Sequence, residues 1–449
     1  MKRSLFSIFL SLIAIPASTF AANVAVIDSG TDFAHNWIKD KAWVNYNEVD
    51  GNLIDDDRNG KVDDINGWNF AENSPNVFYR EHLNTINPIL YRVFETLARI
   101  QLGRATPEDV QFWKDNVTSL PQEKKNALLA QLNFYGEYAH STHCSGIIAK
   151  VNEDSVLLSA RIFPDKLPPE YDGKAKNIVY DVFAGQFNKT FVNIGKYLNE
   201  ANMEVANMSI GTPLPALAQK YLALAGNKNP TPEQIRAETF KIFTAFETKA
   251  KPWVDGTPGV LFVIAAGNDH NDNDNLPYFP ANLRAENTIT VAASNGYQQI
   301  ADFSNYGKTT VHVAAPGVAI DSSVPGLNLN QTLPMSGTSM AAPFVTGVAS
   351  KIKDYNFKLT AKEVKEILMG TVDKKEWLKE KVITSGIVNP ERAYKAAEYA
   401  KGMPIAAAIN RARVEVQDKA ELPSSYGLPQ KNKVSLTPEM ETWAKQLVF

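Results

Sequence analysis

Short apolar runs bounded by turn-forming residues recur along the chain, at Asn23 to Ile27, Ser155 to Ile162, Val205 to Ser209, Val260 to Ala266 and Thr288 to Ala293. Runs of this length without polar alternation read as strands buried on both faces, the habit of parallel sheets. Helical patterns lie between them, and two open on the same start signal, Thr106-Pro107-Glu108-Asp109 and Thr231-Pro232-Glu233-Gln234. Each places a capping hydroxyl before a first-turn proline, with a carboxylate or amide at the third helical position. Strands alternating with helices predict an α/β fold: a doubly wound, mostly parallel sheet sandwiched by helices. Such sheets bind ligands at the carboxyl ends of their strands. Asp28, Ser209 and Asn268 all follow predicted strands and stand near Gly30, Gly211 and Gly267, where backbone can approach a ligand closely.

Composition narrows the class. The 449 residues are 44% hydrophobic and 21% charged, which fits a folded protein with a sizeable core. The formal net charge of -3 lacks the basic excess of a nucleic-acid or anionic-membrane binder, so neither partner is expected. Residues 1–21 read as a signal peptide: Lys2 and Arg3, an apolar run from Leu5 to Ala17, then small residues before a cut near Ala21. The run is too short to span a bilayer, and a buried strand is the competing reading. Export leads to a secreted or periplasmic protein with no membrane anchor in the mature chain. The single cysteine, Cys144, excludes an intrachain disulfide, which leaves the core and a bound metal as sources of stability.

Three blocks carry candidate chemistry: Val26-Ile27-Asp28-Ser29-Gly30, His140-Ser141-Thr142-His143-Cys144-Ser145-Gly146 and Gly337-Thr338-Ser339-Met340-Ala341-Ala342-Pro343. A serine hydroxyl is a poor nucleophile unless a base takes its proton, and an imidazole near its ordinary pKa suits that task. A carboxylate behind the imidazole fixes its tautomer and stabilises its charged form. The small residues after Gly337 suit a tightly packed helix, whose positive N-terminal end favours an anion developing beside Ser339.

In sequence and order these blocks resemble the signatures of the subtilisin-like serine peptidases, with Phe303-Ser304-Asn305-Tyr306-Gly307 and Ala315-Pro316-Gly317-Val318 resembling further segments of that family. The resemblance implies an exported serine endopeptidase that works through an acyl-enzyme. Asp28, His140 and Ser339 would form the triad, with His143 structural. Ala265-Ala266-Gly267-Asn268 resembles the oxyanion segment, which makes the Asn268 amide one donor and the Ser339 backbone N–H the other. Ser209-Ile210-Gly211 resembles the strand that pairs with an extended polypeptide substrate, and with Ala265, Ala266 and Gly267 it would wall the pocket for the side chain preceding the cut.

Asp55, Asp57, Asn59, Gly60, Asp63 and Asp64 have a spacing suited to a calcium loop, with hard oxygen ligands and a glycine for the sharp turn. Asn66 stands where an EF-hand has its last glutamate, and a solvated acidic turn is the competing reading. Asp269, Asp272 and Asp274 read as a plain loop. The peptidase domain is expected over 22–402, with helical insertions at about 73–136, 165–190 and 213–235, the last two expected to rim the cleft, and a C-terminal extension at 403–449. Ser141 and Ser145 depart from the glycine and alanine usual in the family, and Cys144 resembles the free cysteine of some members, which predicts mercurial sensitivity. No N-terminal propeptide is evident between the predicted cut and Asp28, so folding unaided or with the help of the 403–449 extension is expected. Two other classes stay open: a catalytically silent peptide-binding protein on this fold, and an esterase using the same triad.

Overall fold

The computed structural model describes residues 21–165, 180–418 and 434–449, so the predicted signal segment lies almost wholly outside the described residues, as does much of the 165–190 insertion. The strands are β1 Asn23–Asp28, β2 Gly67–Asn69, β3 Val156–Arg161, β4 Val205–Met208, β5 Leu261–Ala265, β6 Thr288–Asn295, β7 Gln299–Ile300, β8 Val313–Pro316, β9 Ile320–Ser323, β10 Thr332–Met335, β11 Asp373–Lys374 and β12 Gly386–Ile387. The principal sheet runs β11-β12-β8-β6-β5-β4-β1-β3-β2, with β7 beside β6. Its long pairings are parallel; only β7 and β11 run antiparallel. β9 and β10 form a separate antiparallel hairpin. All five strands expected from apolar runs are present and buried, to within a residue or two of their expected ends.

The helices are α1 Ile89–Gln101, α2 Pro107–Trp113, α3 Gln122–Val151, α4 Tyr180–Glu200, α5 Leu214–Leu224, α6 Pro232–Asp255, α7 Thr338–Tyr355, α8 Ala361–Gly370, α9 Pro390–Tyr399, α10 Ile405–Glu415 and α11 Pro438–Gln446. Both expected capping boxes form: Thr106 caps α2 reciprocally with Asp109, and Thr231 caps α6 with Gln234. One core lies between the sheet and α3, α7, α8 and α9; a second packs α4, α5 and α6 on the opposite face. The sheet is therefore doubly wound. β1 pairs with β3 on one side and β4 on the other, so the chain reverses direction across the sheet beside Asp28.

A third core belongs to the 73–136 insertion. Leu90, Val93, Phe94, Trp113, Leu132 and Tyr135 pack there with Val324 and Leu333 of the hairpin region and with Met440 and Trp443 of α11. Trp113 and Trp443 meet edge to face at 5.3 Å, and Lys125 Nζ lies 2.6 Å from Glu439. The two parts of the 403–449 extension thus dock in different places: α10 packs on α8 and α9, while α11 packs on α1.

Candidate active site

Asp28 ends β1, and both of its carboxylate oxygens lie 2.9 Å from His140 Nδ1. The Ser29 backbone N–H also donates to Asp28 Oδ1, at 2.6 Å. His140 sits past the middle of α3, at the start of the stretch Ala139 to Ala149 that is buried throughout. Burial works to lower the His140 pKa, but the charge and hydrogen bonds of Asp28 outweigh it and leave it raised. A carboxylate that binds Nδ1 in this way favours the tautomer with Nε2 free to accept a proton.

Ser141 and Ser145, the two departures within the histidine block, have a local explanation. Their hydroxyls lie 2.9 and 3.0 Å from Thr31 Oγ1, so α3 is pinned to the segment after β1 by a buried hydroxyl cluster. The Asp32 N–H adds a bond to Thr142 Oγ1 at 2.9 Å. His143 points into the interior, bonds the Leu333 carbonyl at 2.9 Å, and burial lowers its pKa to about 3. It is a neutral structural histidine. Cys144 is fully buried, with its thiol donating to the Ser339 carbonyl at 3.3 Å, and burial raises its pKa.

Ser339 occupies the first turn of α7, a helix of small residues buried against the sheet. Its hydroxyl donates to the Ser209 carbonyl at 3.2 Å, and its own carbonyl accepts from the Ser209 hydroxyl at 2.9 Å. A residue at this helix position has no intrahelical acceptor for its N–H, which leaves that donor for an anion. Asn268 follows β5 across Gly267. Its Oδ1 accepts from the Thr338 N–H at 2.8 Å and from the Thr338 hydroxyl at 2.9 Å, so the carbonyl end is anchored and the NH₂ end is left for another partner. Gly267 has φ +108°, and a side chain there would meet Asn305 and Tyr278, so the turn that delivers Asn268 requires glycine.

Asp28, His140, Ser339 and Asn268 line one cavity of about 310 Å³, together with Ser209, Ile210, Gly211, Ala265 and Gly267. Ala266 stands behind this surface, fully buried in the core around Tyr297. The two expected walls differ in a useful way. Ala266, Gly267 and Asn305 already exchange hydrogen bonds with their surroundings, whereas no backbone bond to Ile210 or Gly211 occurs among the described residues. The Ser209–Gly211 segment is therefore an open edge of the kind that accepts an added strand.

The insertions contribute unequally. Phe134 borders the cavity from the first of them, with Tyr138 one helical turn further along α3. Asp165 also borders it and is held by His82 Nε2 at 2.8 Å. Residues 213–235 supply none of the described lining, so the expectation that this segment rims the cleft is corrected: its α5 packs on α6 instead. Phe449 is a lining residue that sequence reasoning missed. Its N–H donates to the Ser336 carbonyl at 2.8 Å, and its carbonyl presses on Gly337.

In the acidic loop the structure brings together a set only partly expected. Glu48, Asp55 and Asp57 place carboxylate oxygens within 4.8 Å of one another. Glu48, buried and outside the spaced motif, was missed; it also accepts from the Asp57 and Asp63 N–H groups at 3.1 and 2.9 Å. Asp64 joins through Asn45 Nδ2 and Asn59 Nδ2, at 2.8 and 3.2 Å. Asn59 Oδ1 and Asp63 Oδ1 are buried acceptors without a hydrogen-bond donor, a condition that a hard cation relieves. Asp272 and Asp274 instead bond locally to loop groups such as the Thr309 N–H and the Thr310 hydroxyl.

A model of the subtilase family matches residues 21–386. The chain is 39% identical to subtilisin-like protease 2 of Plasmodium falciparum over 30% of its own length and 10% of that protein. It is 25% identical to subtilisin-like protease 1 of Plasmodium berghei over 85% of its own length and 50% of that protein. The chain thus spans half or less of these curated relatives. The crystal structure of a cold adapted subtilisin-like serine proteinase aligns with 83% of this chain and 88% of its own at 19% identity, with a TM-score of 0.44. No helix among the described residues is long and apolar enough to cross a membrane.

Proposed function

The chain belongs to the subtilase family, and from that premise we propose that it is an exported serine endopeptidase that cleaves polypeptide through an acyl-enzyme. The observation that carries this reading is the Asp28 carboxylate bonded to His140 Nδ1 in the same cavity as the Ser339 hydroxyl. His140 takes the Ser339 proton as the hydroxyl attacks the scissile carbonyl, and Asp28 stabilises the imidazolium formed. The Ser339 N–H and the Asn268 NH₂ receive the developing oxyanion, and His140 returns its proton to the leaving amine. Water then repeats the sequence on the acyl-enzyme.

The open backbone at Ile210 and Gly211 supports a peptide substrate over a small ester. The charged start and apolar run before Ala21 support export to a periplasm or beyond the cell. The test uses purified protein and a fluorophosphonate probe, with Ser339→Ala alongside, followed by assay on unfolded casein. Labelling and cleavage that both vanish in Ser339→Ala are expected. Folded protein that takes no label would instead favour a silent peptide-binding protein.

Asn268→Ala is expected to lower kcat by about 10² to 10³ with little change in KM, a magnitude measured for the equivalent donor in subtilisin, since the donor acts on charge present only in the transition state. Steady-state kinetics on one peptide substrate checks it.

The acidic loop is proposed to hold a structural calcium ion. Glu48, Asp55, Asp57, Asn59 and Asp63 supply oxygens of the hard type that calcium takes, with Asp64 behind them. Calorimetric titration of the metal-stripped protein is expected to show one binding event that Asp57→Ala removes; no heat in folded protein would refute the site.

A further inference from the structure

The two walls of the pocket preceding the cut, Ser209 to Gly211 and Ala265 to Gly267, are spanned by one aromatic ring. A methyl group added at Gly211 would overlap Tyr278 Cε1 and lie 3.1 Å from Cδ1 and Cζ. A methyl added at Gly267, on the facing wall, would lie 3.0 Å from Tyr278 Cε2. The two ε carbons of one ring thus face opposite walls, and Tyr278 as a whole is only 9% exposed while still lining the cavity.

The backbone fixes it there. The Tyr278 N–H donates to Asn282 Oδ1 at 3.0 Å, and its carbonyl accepts from the Asn282 N–H at 2.9 Å. The next residue, Phe279, pairs its backbone both ways with Thr212, at 2.7 and 3.3 Å, and its ring packs on Phe246. Tyr278 is therefore tied on one side to the strand extension that carries Gly211. Of the other aromatic residues lining the cavity, Phe163 follows β3, across β1 from both walls, Phe134 and Tyr138 stand on α3, and Phe449 lies against Gly337.

We propose that Tyr278 floors this pocket and makes the enzyme specific for polypeptides with a small residue, glycine, alanine or serine, immediately before the scissile bond. The proposal rests on the peptidase reading above and deepens it. A phenylalanine or tyrosine side chain must bury roughly 150–250 Å² to bind well. Between walls already bridged by a ring, that area is not on offer, and forcing it in strains a packed site. A methyl or hydroxymethyl group fits above the ring while the substrate backbone keeps its bonds to the Ile210–Gly211 edge.

The test compares two internally quenched peptides that differ only in alanine or phenylalanine before the cleaved bond, with fluorophosphonate labelling to count active sites in every sample. Wild type is expected to favour alanine by about 10²-fold or more in kcat/KM, since even one surplus methylene in a tight pocket costs roughly 10- to 200-fold. Tyr278→Ala is expected to raise cleavage of the phenylalanine peptide at least about tenfold per labelled site, and Tyr278→Phe to keep the alanine preference. Should Tyr278→Ala fail to label, Tyr278→Leu is read in the same way. A labelled wild type that cleaves the phenylalanine peptide equally well overturns the proposal and leaves the peptidase reading standing. So does a labelled Tyr278→Ala with an unchanged ratio. A wild type that neither labels nor cleaves either peptide overturns both.

Discussion

Asp28→Asn is expected to reduce kcat by about 10⁴, the loss seen when the carboxylate of a serine-peptidase triad becomes an amide. Both Asp28 oxygens accept from the His140 Nδ1–H, and the charge outweighs the burial that would otherwise lower the imidazole pKa. An amide removes that charge and presents an N–H that favours the wrong tautomer. The pH profile supplies a second readout. His140 must be neutral to accept the proton, so activity rises with pH through its pKa, which Asp28 raises above the ordinary 6.5. With the charge gone, burial dominates and the residual activity of Asp28→Asn should rise at lower pH than wild type. A limb that stays in place would mean that another group titrates there.

The second large effect is on stability. Arg392, near the start of α9, is buried and bonds the carbonyls of Thr371 and Val372 at 3.2 and 3.0 Å, Asp373 at 3.0 Å, the Val416 carbonyl at 2.8 Å and Asp418 at 2.6 Å. Asp373 is wholly buried and also accepts from the Asn389 amide at 2.8 Å. Arg392→Ala therefore takes a guanidinium away from a buried carboxylate and unties the end of α10 in one step. A loss of about 3–5 kcal/mol is expected, the range for breaking a buried ion pair from one side. Arg392→Lys keeps the charge but not the planar fork that serves two chain segments, 371–373 and 416–418, and should recover only part of the loss. Urea unfolding followed by fluorescence measures both, and activity per labelled site should not change in protein that remains folded.

The parts legible in the sequence were those written locally. The five expected strands are short, mostly apolar runs, and the capping boxes of α2 and α6 are spelled out in four residues each. The residues of the histidine and serine blocks bring their neighbours with them. What escaped was whatever depends on distant chain segments. β8 is not announced by its sequence: Val313 to Pro316 is as long as β4 but ends in proline and takes its place from β6 and β12 on either side. Glu48 stands outside the spaced loop that it completes. The third core joins residues from three separate parts of the chain, Trp113 and Trp443 among them. Tyr278 was invisible for the same reason: nothing in its own neighbourhood states that two distant glycines leave room for its ring.

α3 has a mechanical side. Its first turns belong to the third core and are tied to α11 through Lys125 and Glu439, while its buried half carries His140. From Gln122 to His140 is about 27 Å of continuous helix. The proposed base is thus mounted on a beam whose far end is clamped by the insertion and by the chain's last helix. An engineer seeking to trim 73–136 to the length common in related enzymes would have to saw through that beam within a turn or two of the histidine. The insertion cannot be lifted out as a cartridge; a graft would have to keep α3 whole and rebuild the clamp that holds its outer end.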